Sequence, residues 1–430
     1  MLSPKQASSA ELFCDVRQLT ERLAERLTAE DQTVQSMPDV SPTKWHRAHV
    51  TWFFETFLLQ PHEHDFKPFD DGFNFLFNSY YEAVGERHPR PERGLITRPG
   101  AAEVSDYRRH VDERVLTLLG SASGEHKSEL EAIIELGRHH EQQHQELLLM
   151  DIKHVLSNSS LEPVYLEADH EALADPGPLG WVDFDGGIAA VGRSSDHPDF
   201  GFDNEGPRHD VLVQPFRLAD RLVTAGEWIE FMEDGGYSRP ELWLSDGWYT
   251  RLAEGWEAPL YWKRKDADWH VHTLHGTRLV DANEPVCHVS FYEADAYATW
   301  TGNRLATEFE WELAVDGEPN SGHLLNDDGY TAPRLHPAGA GEPTGGLRQT
   351  YGSCWEWTES AYRPYPGYRP PPGPIGEYNG KFMINTMVLR GGSAFTPQGH
   401  IRSTYRNFFH PHTRWHLSGV RLASSSGDNR

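Results

Sequence analysis

The chain has 430 residues, a formal net charge of −26 and 38% hydrophobic residues. This length predicts two or three domains, and the hydrophobic content excludes global disorder. The negative charge disfavours a nucleic-acid partner. No apolar run reaches the roughly 18 residues of a membrane span, and the N-terminus lacks the apolar segment of a signal peptide. With three scattered cysteines, which form no disulfide framework, we expect a cytoplasmic protein with no membrane partner.

Four segments in the first part of the chain have the periodicity of amphipathic helices. They cover residues 9–29, 41–59, 102–119 and 128–156. Ser9 and Ser41 are the expected N-caps of the first two helices, and Pro42 suits the first helical position of the second. Four such helices predict an up-down bundle over residues 1–165, in which a metal site forms from facing helices.

Residues 175–430 have a different character. Gly, Pro and Trp separate short apolar runs such as HDVLVQPFRLA and MVLRGGS, and two segments near 223–236 and 290–302 have helical periodicity. This alternation of short strands, turns and occasional helices predicts a second, loop-rich α+β domain.

The fourth predicted helix contains EAIIELGRHHEQQHQELLL, residues 131–149, with His140 and His144 four residues apart. Side chains at this spacing share one helix face, so both imidazoles can reach one metal ion. With Glu141 they form the HExxH pattern of zinc proteases, in which the glutamate is the general base. A zinc hydrolase is therefore one interpretation, and a solvated face of a charged helix is another.

A third ligand decides between these interpretations. The metzincin extension is absent, and Glu162 and Glu167 follow the end of the helix. The second predicted helix instead offers His46 and His49 to the same bundle. Three neutral histidines with open coordination positions suit Fe(II) as well as Zn(II).

A long connection, residues 61–100, joins the second and third predicted helices. It is rich in aromatic residues and arginine, and connections of this length in compact domains are usually functional or disordered. Its aromatic content argues against disorder. We therefore place Tyr80, Tyr81, Arg90 and Arg93 near the site as candidates, while the alternative is that the tyrosines only pack the loop onto the bundle.

Several motifs together carry a family resemblance. SPTKWHRAHVTWFFETFLL and HHEQQHQELLLMDIKH resemble the DinB-like bundle of the ergothioneine-pathway sulfoxide synthases. VTAGEWIEFMEDGGY, SCWEWTESAY and YRNFFHPHTRWHLSGVRLA resemble the formylglycine-generating-enzyme fold, a C-type-lectin-like domain. The motifs span nearly the whole chain in the family's order. The resemblance implies a DinB-like four-helix bundle at 1–165 followed by a C-type-lectin-like, sulfatase-modifying-factor domain at 175–430.

The resemblance also implies an activity. The family uses non-haem Fe(II) and O₂ to join a thiol sulfur to the imidazole C2 of N-α-trimethylhistidine (hercynine), giving a sulfoxide in ergothioneine biosynthesis. By the family pattern the iron ligands here are His49, His140 and His144. His46 is then a supporting or structural histidine, and Gln143 is implied to hydrogen-bond the imidazole of the substrate.

The C-terminal motif suggests how the trimethylammonium group is recognised. Such a cation has no N–H to donate and binds aromatic faces. The stretch YRNFFHPHTRW supplies Tyr405, Phe408, Phe409 and Trp415 within eleven residues. Composition alone also fits a hydrophobic core. The resemblance makes Asn407, Phe408 and Phe409 candidates for the substrate pocket, with Trp415 beside them.

The choice of thiol also follows from the resemblance. Family members that use γ-glutamylcysteine carry Asp where this chain has Phe409 and Arg where it has Thr413, charges that would clamp the glutamyl group. The cysteine-using branch instead has a Phe-Phe pair, here Phe408-Phe409, and a Tyr-Tyr pair, here Tyr80-Tyr81.

The same comparison bears on catalysis. The catalytic tyrosine of the γ-glutamyl branch corresponds to Ile375 in this chain. The resemblance therefore implies that Tyr80 or Tyr81 supplies the hydroxyl, and that Arg90 and Arg93 bind the cysteine carboxylate bidentately.

Other functions stay open at this point. A selenosugar donor would make the chain a selenoneine synthase with the same metal site. An ovothiol-type 5-histidylcysteine sulfoxide synthase and a non-catalytic binding module are further alternatives. A structural Ca²⁺ in the lectin-like loops and the oligomeric state are also open. Formylglycine generation is not expected, because there is no cysteine between Arg390 and Arg430.

Overall fold

The computed structural model describes residues 7–326, 334–373 and 376–425, so Ile375 lies outside the described residues. The chain divides into two compact units, Met1–Tyr165 and Leu166–Arg430. No described helix is both long enough and apolar enough to cross a bilayer.

The first unit is a helical bundle. Its helices are α1 (Ser9–Glu25), α2 (Thr43–Phe54), α3 (Gln60–His62), α4 (Phe73–Phe77), α5 (Ala101–Ser121) and α6 (Gly124–Ser157), with a π-helical turn at Glu55–Leu59 and a 3₁₀ turn at Arg90–Leu95. The four long helices correspond to the four segments predicted from periodicity. Aromatic and aliphatic side chains from all four form one core, which includes Phe13, Trp52, Tyr107 and Ile134.

Two helix starts differ from the predictions. Helix α1 begins one residue earlier than expected, because Ser8 is the N-cap: its hydroxyl accepts from Glu11 N, and the Glu11 carboxylate accepts from Ser8 N. Ser41 does not cap α2. Pro42 occupies that position without a side-chain cap, and the Ser41 hydroxyl instead accepts a hydrogen bond from Arg93.

Glu141 fastens α6 to two other helices. Its fully buried carboxylate accepts hydrogen bonds from Arg17 Nη1 at 2.8 Å, Thr20 Oγ1 at 2.6 Å and Arg108 Nη2 at 2.9 Å. Burial raises the pKa of Glu141, but Arg17 and Arg108 outweigh it and hold this pKa below its usual value. A buried carboxylate paired in this way stabilises the bundle only while both cations are present.

Helices α2 and α6 approach closely at Gly137. A Cβ atom at this position would lie 2.4 Å from Phe54 Cε1 and 2.5 Å from Phe54 Cζ. The glycine therefore permits an interhelical distance that no larger residue allows, one turn before His140.

The second unit combines short strands with short helices. Its helices are α7 (Ala225–Glu233), α8 (Ser245–Glu254), α9 (Phe291–Trp300), α10 (Glu308–Ala314) and α11 (Glu377–Gly380). Its strands are β1 (Trp181–Phe184), β2 (Gly187–Val191), β3 (His209–Val213), β4 (Phe216–Ala219), β5 (Trp262–Lys265), β6 (Asp268–Thr273), β7 (Gly276–Leu279), β8 (Arg304–Leu305), β9 (Trp355–Ala361), β10 (Met387–Arg390), β11 (Asn407–Phe409), β12 (Ser418–Gly419) and β13 (Leu422–Ser425). The two segments with predicted helical periodicity are α7 and α9.

The described strands form four small sheets. Two are four-stranded, with orders β1-β4-β13-β8 and β11-β10-β9-β12, and the others are β2-β3 and β5-β6-β7. Strand β11 pairs antiparallel with β10, with Phe408 opposite Val388. A large aromatic core that includes Trp228, Trp311 and Trp357 packs around the sheets. This α+β arrangement agrees with the expectation from the strand and turn pattern.

Candidate metal centre

Helices α2 and α6 bring three histidines together inside the bundle. One ring nitrogen from each of His49, His140 and His144 lies within 4.8 Å of the others, and the Nε2 atoms of His49 and His140 are 3.3 Å apart. Neighbouring ligands of an ion bonded at about 2.1 Å lie roughly 3 Å apart, so this spacing fits one metal ion. These are the three residues that the family resemblance implies as iron ligands.

A backbone carbonyl fixes the ring of His49. Its Nδ1–H donates to Phe77 O at 2.6 Å, which leaves the lone pair on Nε2. The indoles of Trp45 and Trp52, on the neighbouring turns of the helix, stack against the ring at centroid distances of 4.7 and 5.7 Å. Nε2 therefore faces the other two histidines in a fixed orientation.

Histidine 144 is held by a different kind of contact. Its Nδ1 lies 2.9 Å from Nδ1 of His46, and Nε2 of His46 lies 2.9 Å from Oδ2 of Asp151. The same Oδ2 accepts the backbone N–H of Ser41 at 2.7 Å. His46 thus contacts a predicted ligand, as expected for the supporting histidine.

Burial keeps the three imidazoles neutral. It lowers the pKa of His140 to about 4, and burial with the neighbouring histidines lowers the pKa values of His49 and His144 as well. Nδ1 of His140 is buried without a hydrogen-bond partner among the described residues. Neutral imidazoles whose lone pairs converge repel one another unless a cation lies between them, so the chemistry of this donor set fits a divalent metal.

The zinc-protease interpretation of the HExxH pattern does not agree with the structure. The carboxylate of Glu141 is occupied by Arg17, Arg108 and Thr20, so it is not available as a general base. Within the part of the chain that the structure describes, the three-histidine group includes no carboxylate ligand.

A second group of histidine and glutamate side chains that could bind a metal lies on α3 and α6. His62 of α3 and His126 and Glu129 of α6 place one potential ligand atom each within 4.8 Å of one another. His126 and Glu129 are exposed and His62 is partly buried. Periodicity did not single out this group. His62 lies in the long connection, His126 precedes the predicted fourth helix, and Glu129 precedes the segment 131–149 that drew attention to His140 and His144.

Comparisons with known proteins agree with both halves of the chain. Residues 12–154 match the DinB superfamily, and residues 179–426 match the sulfatase-modifying factor enzyme 1-like domain. A hercynine oxygenase from Mycolicibacterium smegmatis is 33% identical over 95% of this chain and 96% of its own length. One from Mycobacterium tuberculosis is 31% identical over 98% of this chain and 99% of its own length.

The chain belongs to the hercynine oxygenase family. This confirms the predicted fold, a DinB-like helical unit followed by a C-type-lectin-like, sulfatase-modifying-factor domain. A formylglycine-generating enzyme from Thermomonospora curvata is 32% identical over only 41% of this chain and 70% of its own length. The full-length match to hercynine oxygenases therefore distinguishes the chain from the enzymes that share its second unit alone.

In this family member, a cleft of about 430 Å³ opens beside Arg90, one of the two predicted arginines. It is lined by Ser79, Tyr80, Arg87, His88, Pro89, Arg90 and Pro91. The Tyr80 hydroxyl accepts from Arg90 Nη1 at 2.6 Å, and the Arg90 side chain also donates to Asp39 O. Two guanidinium groups and a phenol on one wall suit an amino-acid carboxylate.

Arg93 is buried, 3% exposed, and its guanidinium lies 3.3 Å from the centre of the Trp45 ring. It donates to the hydroxyls of Ser41 and Ser79 at 2.8 and 3.4 Å. No described carboxylate lies within ion-pair distance, and Nε is buried without a partner. Burial lowers the pKa of Arg93 to about 9. A buried cation without a counter-ion favours an anionic ligand.

The remaining predicted residues of the first unit are Tyr81 and Gln143. Tyr81 is buried, and its ring contacts Trp52 and Phe57 at centroid distances of 5.8 and 5.1 Å. Trp52 in turn stacks against His49. Gln143 is partly buried on α6, next to His144 in sequence.

In the second unit, β11 separates the two phenylalanines. Because side chains alternate along a strand, Phe408 stacks on Tyr362 at 4.2 Å, whereas Phe409 stacks on His416 at 4.2 Å and contacts Trp415 at 5.6 Å. Asn407 shares the face of Phe409. The structure therefore groups Phe409 with Trp415 and places Phe408 in a separate aromatic stack.

Sequence reasoning missed Asp151 and His416. Asp151 follows His144 by seven residues, two helical turns, so its position on the same helix face was a usable signal. His416 is fully buried behind Phe409, and neither of its ring nitrogens has a hydrogen-bond partner among the described residues. No sequence signal identified it, because its environment is made by residues distant in the chain.

Proposed function

We propose that this chain is a non-haem Fe(II) oxygenase that joins the sulfur of cysteine to C2 of hercynine and oxidises that sulfur to a sulfoxide, a step of ergothioneine biosynthesis. The full-length similarity to proteins named hercynine oxygenase, together with the three converging histidines, carries the proposal.

The stoichiometry of this reaction balances with O₂ alone. Loss of the imidazole C2–H and the thiol S–H forms the C–S bond and releases two electrons. Oxidation of the sulfur releases two more. Four electrons reduce O₂, one oxygen becoming the S=O group and the other water, so no further reductant is needed.

His49, His140 and His144 would hold Fe(II), and the remaining coordination positions would stay open to small ligands. When bound, the iron would supply activation of O₂ and acidification of the thiol. By the family resemblance we assign the amide of Gln143 to the imidazole of hercynine.

The cysteine carboxylate is assigned to Arg90 and Arg93. Arg93 supports this because it is buried and no carboxylate of the described residues lies within ion-pair distance, and Arg90 supports it because it lines the cleft. Replacing Arg93 with methionine, which keeps an unbranched side chain, should raise KM for cysteine at least about tenfold, since a lost charged contact costs roughly 1.5–3 kcal/mol. Iron content should not change. An unchanged KM would contradict the assignment.

The lack of a charged side chain at two positions, Phe409 on β11 and Thr413 in the loop after it, favours cysteine over γ-glutamylcysteine. Phe409 stacks on a neutral ring, and the Thr413 hydroxyl donates to His410 O at 2.8 Å. Neither position offers a charge to a glutamyl group. We keep Asn407, Phe408, Phe409 and Trp415 as proposed contacts of the trimethylammonium group, because aromatic faces attract cations.

A tyrosine hydroxyl is proposed to donate a proton during sulfoxide formation. Tyr80 hydrogen-bonds Arg90, and Tyr81 packs against Trp52, so the two positions can be separated by single substitutions to phenylalanine. The variant that lowers sulfoxide and raises cysteine sulfinate identifies the donor. An unchanged product ratio in both variants and in the double variant would exclude the tyrosines.

The decisive experiment is anaerobic reconstitution with Fe(II), followed by O₂ and hercynine with an equimolar mixture of cysteine, γ-glutamylcysteine and a selenosugar. Mass spectrometry should find hercynylcysteine sulfoxide as the main product. A main product from either other donor would overturn the proposed substrate, and no product from any donor would overturn the proposed activity. A structural Ca²⁺ is tested by metal analysis of the same sample.

A further inference from the structure

Two buried side chains form a hydrogen-bonded series that ends at His144, a partly buried candidate ligand. Asp151 Oδ2 contacts His46 Nε2 at 2.9 Å, and His46 Nδ1 contacts His144 Nδ1 at 2.9 Å. His46 is 3% exposed and Asp151 is 4% exposed. Water therefore does not compete for the contact between His46 and Asp151, and the position of its proton is decided by these two groups.

The carboxylate determines the direction of every hydrogen bond in this series. A carboxylate only accepts, so His46 donates its Nε2–H to Asp151. With the proton of His46 on Nε2, its Nδ1 has the lone pair and accepts Nδ1–H from His144. With its proton on Nδ1, His144 has its lone pair on Nε2.

We propose that His46 and Asp151 are positioning residues that fix the tautomer and the ring orientation of His144, so that Nε2 is presented to the metal ion. The inference rests on the metal site of the proposed function. Outer partners of metal-bound histidines commonly act in this way, but here the carboxylate reaches the ligand through a second imidazole.

Asp151 also contacts the backbone of Ser41, so the same carboxylate acts on the start of α2. Ser41 lies just before α2, which carries His46 and His49, and its N–H donates to the same Oδ2 at 2.7 Å. One carboxylate on α6 therefore fixes both the start of α2 and the ring that supports His144.

The three candidate ligands differ in their outer support. His49 donates to a backbone carbonyl, His144 is supported by His46, and Nδ1 of His140 has no partner among the described residues. Of these supports, only the contact between His46 and His144 can be removed by a side-chain substitution that leaves all three ligands in place.

The test compares His46→Asn and His46→Leu, whose side chains branch alike and have the same number of heavy atoms. Both variants lose the contact with Asp151. Only asparagine offers an oxygen near the former Nδ1 to accept from His144. Affinity for Co²⁺ is measured by visible absorption on the full-length protein without substrate, and urea unfolding of each variant is recorded beside it.

His46→Leu should bind Co²⁺ about 10–100-fold more weakly than the wild type, the range typical of a lost outer partner. His46→Asn should retain affinity within about threefold, because its oxygen replaces the acceptor. Equal affinities in the two variants would overturn the proposal, whether both bind tightly or both bind weakly, since the only designed difference is the acceptor.

A measurement without substitutions covers the case in which His46→Leu does not fold. ¹⁵N-histidine labelling and long-range ¹H–¹⁵N spectra of the wild type distinguish Nδ1–H from Nε2–H rings. We expect the Nε2–H tautomer at His46 and the Nδ1–H tautomer at His144, and the reverse pair would overturn the proposal. Failure of the hercynine reaction with both tautomers as expected would overturn the proposed activity alone.

Discussion

Helix α6 contributes to two groups of side chains that could each bind a metal ion. The two groups have a similar arrangement, but they differ in burial and in their hydrogen-bond partners. In each group two residues of α6 are joined by one residue of the helical segment from α2 to α3. In the inner group, His49, His140 and His144, two tryptophans stack on His49, and outer hydrogen bonds support His49 and His144. The outer group, His62, His126 and Glu129, lies at the surface. From this difference we expect the inner group to hold a metal ion more tightly, because burial and outer partners keep the lone pairs in place.

The largest expected effect concerns the carboxylate beside the inner group. Glu141→Gln removes the charge that pairs with Arg17 and Arg108, so we expect a loss of about 3–5 kcal/mol in the free energy of unfolding, the cost of breaking a buried ion pair. Glu129→Gln, at the outer group, should change it by less than about 0.5 kcal/mol. Urea unfolding followed by circular dichroism measures both. If Glu141→Gln and the wild type had equal free energies of unfolding, the structural role of Glu141 would be contradicted, and Glu141 would again be a candidate general base.

Loss of a ligand should affect metal binding next most strongly. His140→Ala should reduce Fe(II) affinity by at least about 100-fold, the upper range for loss of an outer partner, and sulfoxide formation should fall with it. Bound iron is measured after anaerobic reconstitution and desalting. Wild-type iron content in His140→Ala would show that the ion is held elsewhere.

The inner group should also make the metal-free protein sensitive to acid. Burial lowers the folded pKa of His140 to about 4, below the ordinary value near 6.5. The unfolded chain therefore binds more protons between these values, and the stabilising contribution is lost as the pH falls from about 6.5 towards 4. His140 alone should reduce the free energy of unfolding by about 2 kcal/mol between roughly pH 7.5 and pH 5.

Urea titrations of the metal-free protein at several pH values measure this slope. His140→Gln should flatten the slope, because a group that does not titrate replaces the buried imidazole. His126→Gln serves as the matched control at the surface and should leave the slope unchanged. The same slope in wild type and His140→Gln would contradict the assignment to His140.

The smallest expected effect is at the outer group. His126→Ala should leave iron content, activity and stability unchanged within about 0.5 kcal/mol, as is usual for exposed positions. Metal analysis of the reconstituted variant checks this. A drop in bound metal per chain would show that the outer group also holds an ion, and the contrast between the two groups would then need another explanation.

The sequence allowed the inner group to be predicted because its geometry is local. The four-residue spacing of His140 and His144 places them on one face, and the family pattern added His49. The helical bundle and the α+β character of the second unit followed from periodicity and turn composition for the same reason.

Long-range pairings could not be predicted in this way. The partners of Glu141 are Arg17, 124 residues away, and Arg108, 33 residues away, so the HExxH pattern alone suggested a base where the structure has an ion pair. Likewise, the Phe408-Phe409 pair suggested one aromatic wall. The pairing of β11 with β10 turns the two rings to opposite faces, and that pairing is set by residues 387–389.

Gly137 links the packing of the bundle to the position of a candidate ligand. Its missing side chain lets the ring of Phe54 lie against the α6 backbone one turn before His140, and Phe54 lies five residues after His49 on α2. A methyl group at this position would clash with that ring, so the ring or one of the two helices would have to shift. A residue with no side chain therefore helps to set where His140 lies relative to α2.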